Sequence, residues 1–251
     1  MQQMLIKSKR NRTHLEDRHL ALVLATAAGL LNAMALGAFG FFPSHMSGNT
    51  SQISTEVSSS DLSDLLILAA IIIAFVTGSV TSRLLVISGI KNNIRTIFSL
   101  ILLMEGIALI LLSLFEQFFY SSSHNNEVIV LLGFLMGIHN ATSTQLSDGR
   151  VRSTHITGTL TDAGIALGSV LSALLRRDFS KDLKAQRSQL FTHLVTIFSF
   201  LAGGVCGLLL FKFYGFTAMI AVGAFLALVS LSSITLTLLM AKKRALRPGI
   251  L

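Results

Sequence analysis

The stretch ITGTLTDAGIALGSVLSALL, Ile156–Leu175, decides the architecture of this chain. It is apolar and long enough to cross a hydrocarbon core of about 30 Å. Yet Arg150 and Arg152 precede it, and Arg176, Arg177, Lys181, Lys184 and Arg187 follow it. Short loops rich in Lys and Arg stay on the cytoplasmic side of a membrane, so a crossing would strand one of these clusters outside. The segment therefore reads as re-entrant, or as a helix buried among others, entering and leaving on the cytoplasmic face.

The rest of the chain makes that choice meaningful. Hydrophobic residues are 52% of the sequence and charged residues 13%, and mean hydropathy is +0.70. A soluble domain carries about a quarter charged residues, so the composition is that of a membrane protein. Six further stretches are long enough to span: Leu20–Phe42, Leu62–Ile87, Ile94–Phe118, Glu127–Leu146, Leu190–Phe211 and Gly215–Met240. The expected fold is all-α, with six transmembrane helices, two re-entrant or broken helical segments and an inverted internal repeat. The first apolar run exceeds the roughly 7–15 residues of a cleaved signal, so an uncleaved first helix is expected.

Charge sets the topology. Lys7, Lys9, Arg10, Arg12 and Arg18 lie before the first span, and Lys242, Lys243, Arg244 and Arg247 after the last. Pro43 to Asp61 and Tyr120 to Glu127 contain no Lys or Arg. Every short loop then falls on its expected side with both termini cytoplasmic. The domain plan is a basic tail at 1–19, one transmembrane domain at 20–240 with halves of about 20–119 and 127–240, and a second basic tail at 241–251. The net charge of +8 belongs to this topology rather than to nucleic-acid binding. The single Cys206 excludes an intramolecular disulfide and reads as a small core residue beside Gly203 and Gly207.

The re-entrant stretch has a counterpart. Gly29-Leu30-Leu31-Asn32-Ala33 leads to Ser44-His45-Met46-Ser47-Gly48-Asn49-Thr50, and Gly137-Ile138-His139-Asn140-Ala141 leads to Thr154-His155-Ile156-Thr157-Gly158-Thr159. Asn32 precedes His45 by 13 residues and Asn140 precedes His155 by 15. With three crossings per half the two copies face opposite ways, the arrangement of transporter folds whose site lies at the repeat interface. A third shared element, Phe75-x-x-Gly78-x-x-x-Ser82 against Phe200-x-x-Gly203-x-x-x-Gly207, has the small-xxx-small spacing of close helix packing.

Each copy suits a broken helix. Pro43 ends the first helix or begins the next turn, and Gly48 and Gly158 permit close approach or unusual backbone angles. Ser47, Thr50, Thr157 and Thr159 are candidates to cap exposed N–H groups. Two helix N-termini pointing inward favour an anionic solute or carboxylate. The candidate binding residues are Asn32, His45, Ser47, Gly48, Asn49, Asn140, His155, Thr157, Gly158 and Thr159. Asn32 and Asn140 either line the site or hold helices together through hydrogen bonds.

Ionisable residues inside a membrane are functional candidates. Glu105 lies mid-span, facing the interior or protonated, and is the first choice for carrying a coupling proton. Asp162 is the second choice, or caps the first turn of its helix. His139 and His193 have no partner across the repeat and read as structural.

The paired His-x-[Ser/Thr]-Gly-[Asn/Thr] segments, each after a Gly-x-x-Asn-Ala helix, resemble the YoaK family of bacterial integral membrane proteins. The resemblance spans Leu20–Met240, with Ser47-Gly48-Asn49 its most recognisable piece; Thr159 departs from the pattern where Asn49 stands. It implies a six-helix protein of the bacterial cytoplasmic membrane, of a kind sometimes described as small-molecule transporters, with no assigned residues to carry over.

Catalysis is weakly supported. Ser44 beside His45 lacks a third orienting group, and no metal spacing or phosphate loop is present. The expected function is secondary transport of a small, anionic solute, with no cofactor, metal or nucleic acid, the lipid bilayer as surroundings and homodimerisation open. The alternatives are a sensor or scaffold whose repeat is architectural, or a channel.

Overall fold

The computed structural model describes residues 13–59, 62–121, 124–177 and 181–245, and among them all regular structure is helical. Lys7, Lys9, Arg10, Arg12 and Arg247 lie outside the described residues. Eight helices follow in order: α1 (His14–Phe39), α2 (Met46–Ser59), α3 (Leu62–Lys91), α4 (Ile97–Phe119), α5 (Asn125–Leu146), α6 (Ile156–Arg176), α7 (Lys181–Tyr214) and α8 (Phe216–Ala245). All but α2 are long and apolar enough to cross a membrane, so the chain is a multi-pass membrane protein.

Local chemistry sets the ends of α1. The Glu16 N–H donates to the Thr13 hydroxyl at 3.3 Å, and the Thr13 N–H donates to the Glu16 carboxylate at 2.7 Å, a reciprocal cap. Its other end is Gly40, whose φ of +76° costs glycine nothing and lets its N–H reach the Leu36 carbonyl. Pro43, expected to end the helix or begin the next turn, does the latter, buried in the turn that follows.

The eight helices form two sets of four related by a two-fold operation. Exchanging α1 with α5, α2 with α6, α3 with α7 and α4 with α8 maps every touching helix pair onto another touching pair. The pair α1–α7 becomes α5–α3, α2–α3 becomes α6–α7, and α4–α8 and α1–α5 map onto themselves. Glycines make the crossings. A Cβ on Gly29 would strike the Phe200 carbonyl oxygen, and its repeat mate Gly137 would strike that of Phe75; Gly203 meets Thr26 and Gly78 meets Phe134 in the same way. In both crossings residue numbers rise together, so α1 runs parallel to α7 and α3 parallel to α5.

The halves themselves are antiparallel. The start of α1 (Leu20, Leu24) packs with the end of α5 (Leu146), while Leu31 and Met34 pack with Val128, Ile129 and Leu132 at its start. Across α4 and α8, Ser99 reaches Ser233, Gly106 meets Gly223, and Gln117 reaches Thr217. Antiparallel mates place the two-fold axis across the helices, which is the inverted arrangement expected from the sequence.

The symmetry is broken at one end. Arg150 donates to buried Asp17 at 2.7 Å, tying the α5–α6 connection to α1. Arg18 donates to the Ser188 hydroxyl at 2.9 Å and lies over the Phe191 ring, tying α1 to α7. The repeat mate of Asp17 is Asn125, whose buried amide oxygen has no partner among the described residues.

One of two alternatives is excluded and one expectation is corrected. The segment Ile156–Leu175 is not buried among others: α6 lies on the outside, with Thr159, Ala163, Ala166 and Val170 facing inward at helical spacing and Leu160, Ile165, Leu171 and Leu175 exposed. Its inward stripe fits against α7, its one neighbouring helix among the described residues. Cys206 is exposed rather than in the core. Gly203 and Gly207, one turn apart, occupy the face against α1, and Cys206 falls off that line.

Candidate functional site

Both breaks open into one cavity of about 1130 Å³. From the first half it is lined by Asn32, Phe42, Ser44, His45, Met46 and Ser47, and by Phe75 of α3. From the second half come Asn140, Thr144, Arg152, Thr154, His155, Ile156 and Thr157, with an apolar face of α7 from Ile197 to Leu208. Six of the expected binding residues meet there: Asn32, His45, Ser47, Asn140, His155 and Thr157. Gly48, Asn49, Gly158 and Thr159 do not line the cavity; they shape its walls.

Their roles follow from contacts. A Cβ on Gly48 would collide with the His45 imidazole, and one on Gly158 with that of His155. In each copy the ring of the residue before the helix folds over the third helical position, so only a bare Cα fits beneath it. That is the physical content of His-x-[Ser/Thr]-Gly. Asn49 is buried and its amide points to the Phe42 carbonyl at 3.4 Å, stitching the turn.

The hydroxyls do not cap, contrary to expectation. Thr50 donates to the Met46 carbonyl at 2.7 Å and Thr159 to the His155 carbonyl at 2.9 Å. These residues already lie inside the helix, where a hydroxyl reaches the carbonyl four residues back. No side chain caps the start of α6, where His155 is the N-cap residue. The Ile156 N–H turns back to the Thr154 carbonyl at 3.0 Å and the Thr159 N–H to that of His155 at 3.1 Å, which leaves the Thr157 and Gly158 N–H groups, and the positive end of the helix dipole, for whatever occupies the cavity.

The asparagines differ. Asn32 Oδ1 accepts from the Ser44 N–H at 3.2 Å and from its hydroxyl at 2.8 Å, pinning the first break to α1. Asn140 Oδ1 is buried and has no partner among the described residues, leaving an acceptor beside the cavity.

The two half-sites differ most at one matched position. Three residues before His45 stands Phe42, whose ring meets the imidazole edge to face with centroids 5.9 Å apart. Three residues before His155 stands Arg152, whose guanidinium lies 3.3 Å from His155 Nδ1. Arginine can only donate, so His155 Nδ1 accepts and its proton sits on Nε2. No carboxylate lines the cavity, and none pairs with Arg152 among the described residues. Sequence reading counted Arg152 as a topology charge and so missed it; its spacing from His155, matched by Phe42 and His45, was the available signal.

Away from this cavity lies a buried polar pair that the sequence reading split. Glu105 faces the interior, 2% exposed, as expected, but its Oε1 lies 2.8 Å from Nδ1 of fully buried His139. His139 Nε2 lies 3.0 Å from the Leu24 carbonyl of α1. A carbonyl accepts only, so Nε2 carries a proton and donates it. One further proton must then sit between Nδ1 and Oε1, on either atom, because two acceptors cannot face each other at this distance. His139, read as structural, is the partner of Glu105, and together they join α4, α5 and α1. Asp162 neither lines the cavity nor caps α6; it is exposed, close enough to His193 of α7 to act on it electrostatically. Glu116 is a second buried carboxylate, with neither oxygen hydrogen-bonded among the described residues.

A family profile described as "Protein of unknown function (DUF1275)" matches residues 20–232. No curated protein and no solved structure matches the chain.

Proposed function

This chain belongs to the DUF1275 family of proteins of unknown function, and we propose that it is a secondary transporter of a small anionic solute in the bacterial cytoplasmic membrane. α1, α3, α4, α5, α7 and α8 cross the bilayer, while α2 and α6 are half-spans entering from opposite faces. Both termini are cytoplasmic. The YoaK-like segments fit the same six-crossing plan.

The observation that carries the proposal is the convergence of both broken segments on one cavity. A broken helix inside a bilayer leaves backbone groups whose exposure to lipid costs several kcal/mol each, so it persists only beside protein or a polar cavity. Here two imidazoles, one guanidinium, Ser47, Thr157 and uncapped N–H groups gather with no acid to neutralise them. Rocking of one half against the other about the fixed site supplies alternating access. The half-span reading of α6 is supported by its placement: its first residues reach the cavity beside Ile197–Leu208, midway along α7, and its last lie near the start of α7.

Glu105 is assigned as the coupling group, now sharing its proton with His139. Hydrogen bonds from that pair reach α1 and α4 at once, so a change of protonation is felt between the halves.

The test is counterflow. A solute that stabilises the purified protein in a thermal-shift screen is loaded into vesicles containing it. Saturable uptake stimulated by the internal solute is expected, falling at least tenfold in His45→Ala and in His155→Ala, with Glu105→Gln removing its dependence on a pH gradient. Uptake without stimulation from inside indicates a channel. Binding without uptake indicates a sensor or scaffold.

A further inference from the structure

We propose that the cavity is chemically polarised and takes an amphipathic organic monoanion, with its acid group at Arg152 and His155 and its apolar body directed toward Phe42 and the α7 face. This rests on the cavity being the solute site and goes on to name the solute's chemistry and orientation.

The break in symmetry carries the inference. The other matched pairs of the two breaks that line the cavity are chemically alike: His45 with His155, Ser44 with Thr154, Ser47 with Thr157, Met46 with Ile156, Asn32 with Asn140. Only at Phe42 and Arg152 does one half present an aromatic ring and the other a cation. A solute with two equivalent charged ends would meet a ring at one of them. An inorganic oxyanion would use Arg152 and His155 but leave most of the cavity unfilled. The cavity, at about 1130 Å³, is slightly larger than the roughly 300–1,000 Å³ usual for organic ligands.

The remaining walls agree. Phe75, Phe200, Leu201, Val205 and Leu208 face the cavity with no polar side chain among them. A hydrated dianion against such a wall would lose water without regaining hydrogen bonds. The head-group end is pre-arranged. His155 Nδ1 is occupied by the guanidinium, so its Nε2–H is the free donor. Arg152 keeps donors to spare, since its guanidinium carries five N–H bonds and fits a carboxylate bidentately. The uncapped start of α6 adds backbone N–H groups at the same end. Asn140 Oδ1, buried without a partner, is placed to accept from a solute hydroxyl or a water beside the head.

Thermal shift and isothermal titration on the full chain in lipid nanodiscs test this with four probes. These are 4-phenylbutanoate, its amine analogue 4-phenylbutylamine, its alcohol 4-phenylbutanol, and sulfate. The acid is expected to stabilise the protein and to bind at least tenfold more tightly than the other three. Arg152→Gln should weaken the acid at least tenfold and leave the alcohol unchanged. Phe42→Ala should weaken acid and alcohol alike, and Arg152→Lys should recover part of the acid's affinity. Tighter binding of sulfate, dependent on Arg152, overturns the polarised amphipathic site while leaving an anion transporter standing. Equal binding of acid and amine, or acid binding untouched by Arg152→Gln, overturns both the orientation and the charge preference. No binding of the acid at millimolar concentration also overturns the inference. Binding of the acid with no counterflow removes transport alone.

Discussion

His139→Leu is expected to cost about 3–5 kcal/mol of stability, the range for removing one member of a buried charge pair. The substitution leaves Glu105, 2% exposed, with neither oxygen hydrogen-bonded, because Oε2 already lacks a partner and Oε1 loses His139. It also removes the donor to the Leu24 carbonyl. Thermal or denaturant unfolding in detergent measures the loss. The double variant Glu105→Leu with His139→Leu should recover most of it, since apolar replacement of a whole buried pair is often neutral. Glu105→Gln alone should be milder, because an amide still offers a group to His139. A loss below about 1 kcal/mol in His139→Leu would mean that the pair is not the sole support of the buried acid.

Gly137→Val and Gly29→Val come next in size. At both positions a Cβ would overlap a backbone carbonyl oxygen, of Phe75 and Phe200 respectively. A carbonyl in a helix cannot rotate aside as a side chain can, so the helices must separate along the whole crossing. Overpacking usually costs about 1–3 kcal/mol, and backbone against backbone belongs at or above the top of that range. The two variants should be similar because the two-fold operation relates their sites. Gly164→Ala and Gly168→Ala are the controls. Both lie in α6 with nothing within 4 Å of an added Cβ, and alanine there should be neutral or gain up to about 1 kcal/mol in helix propensity. Melting temperatures of the four variants give the answer together. Equal tolerance at Gly137 and Gly164 would contradict the crossing geometry.

The fold was largely legible because its signals are local or repeated. Apolar runs gave six helices to within a few residues at most ends, since bilayer thickness dictates their length. α7 starts at Lys181 rather than Leu190, because a helix can continue through Lys and Gln once outside lipid. The duplicated motif pointed to the inverted repeat, and its breaks do meet. Where the sequence fell short, the relevant relation was lateral. Whether Glu105 turns toward His139, 34 residues away in sequence, depends on the rotation of two helices. The α7 wall is spelled by ordinary apolar residues that also suit lipid. Gly40 ends α1 and Pro43 begins the turn after it, because a glycine in the left-handed region satisfies a helix end actively. Cys206 was misplaced because neighbours in sequence are not neighbours on a helix face.

The whole account depends on Ser47 and Thr157, at the starts of α2 and α6, facing each other across one interior space. In a Cys206→Ser background, which removes the single native thiol, Ser47→Cys and Thr157→Cys can be treated together with a short bis-maleimide. Intact-mass measurement then counts the reagent. One molecule bridging both thiols within a single chain is the predicted product, formed at low protein concentration and absent from either single variant. Two molecules per chain, each hydrolysed at its free end, would place the two breaks apart and contradict the shared cavity.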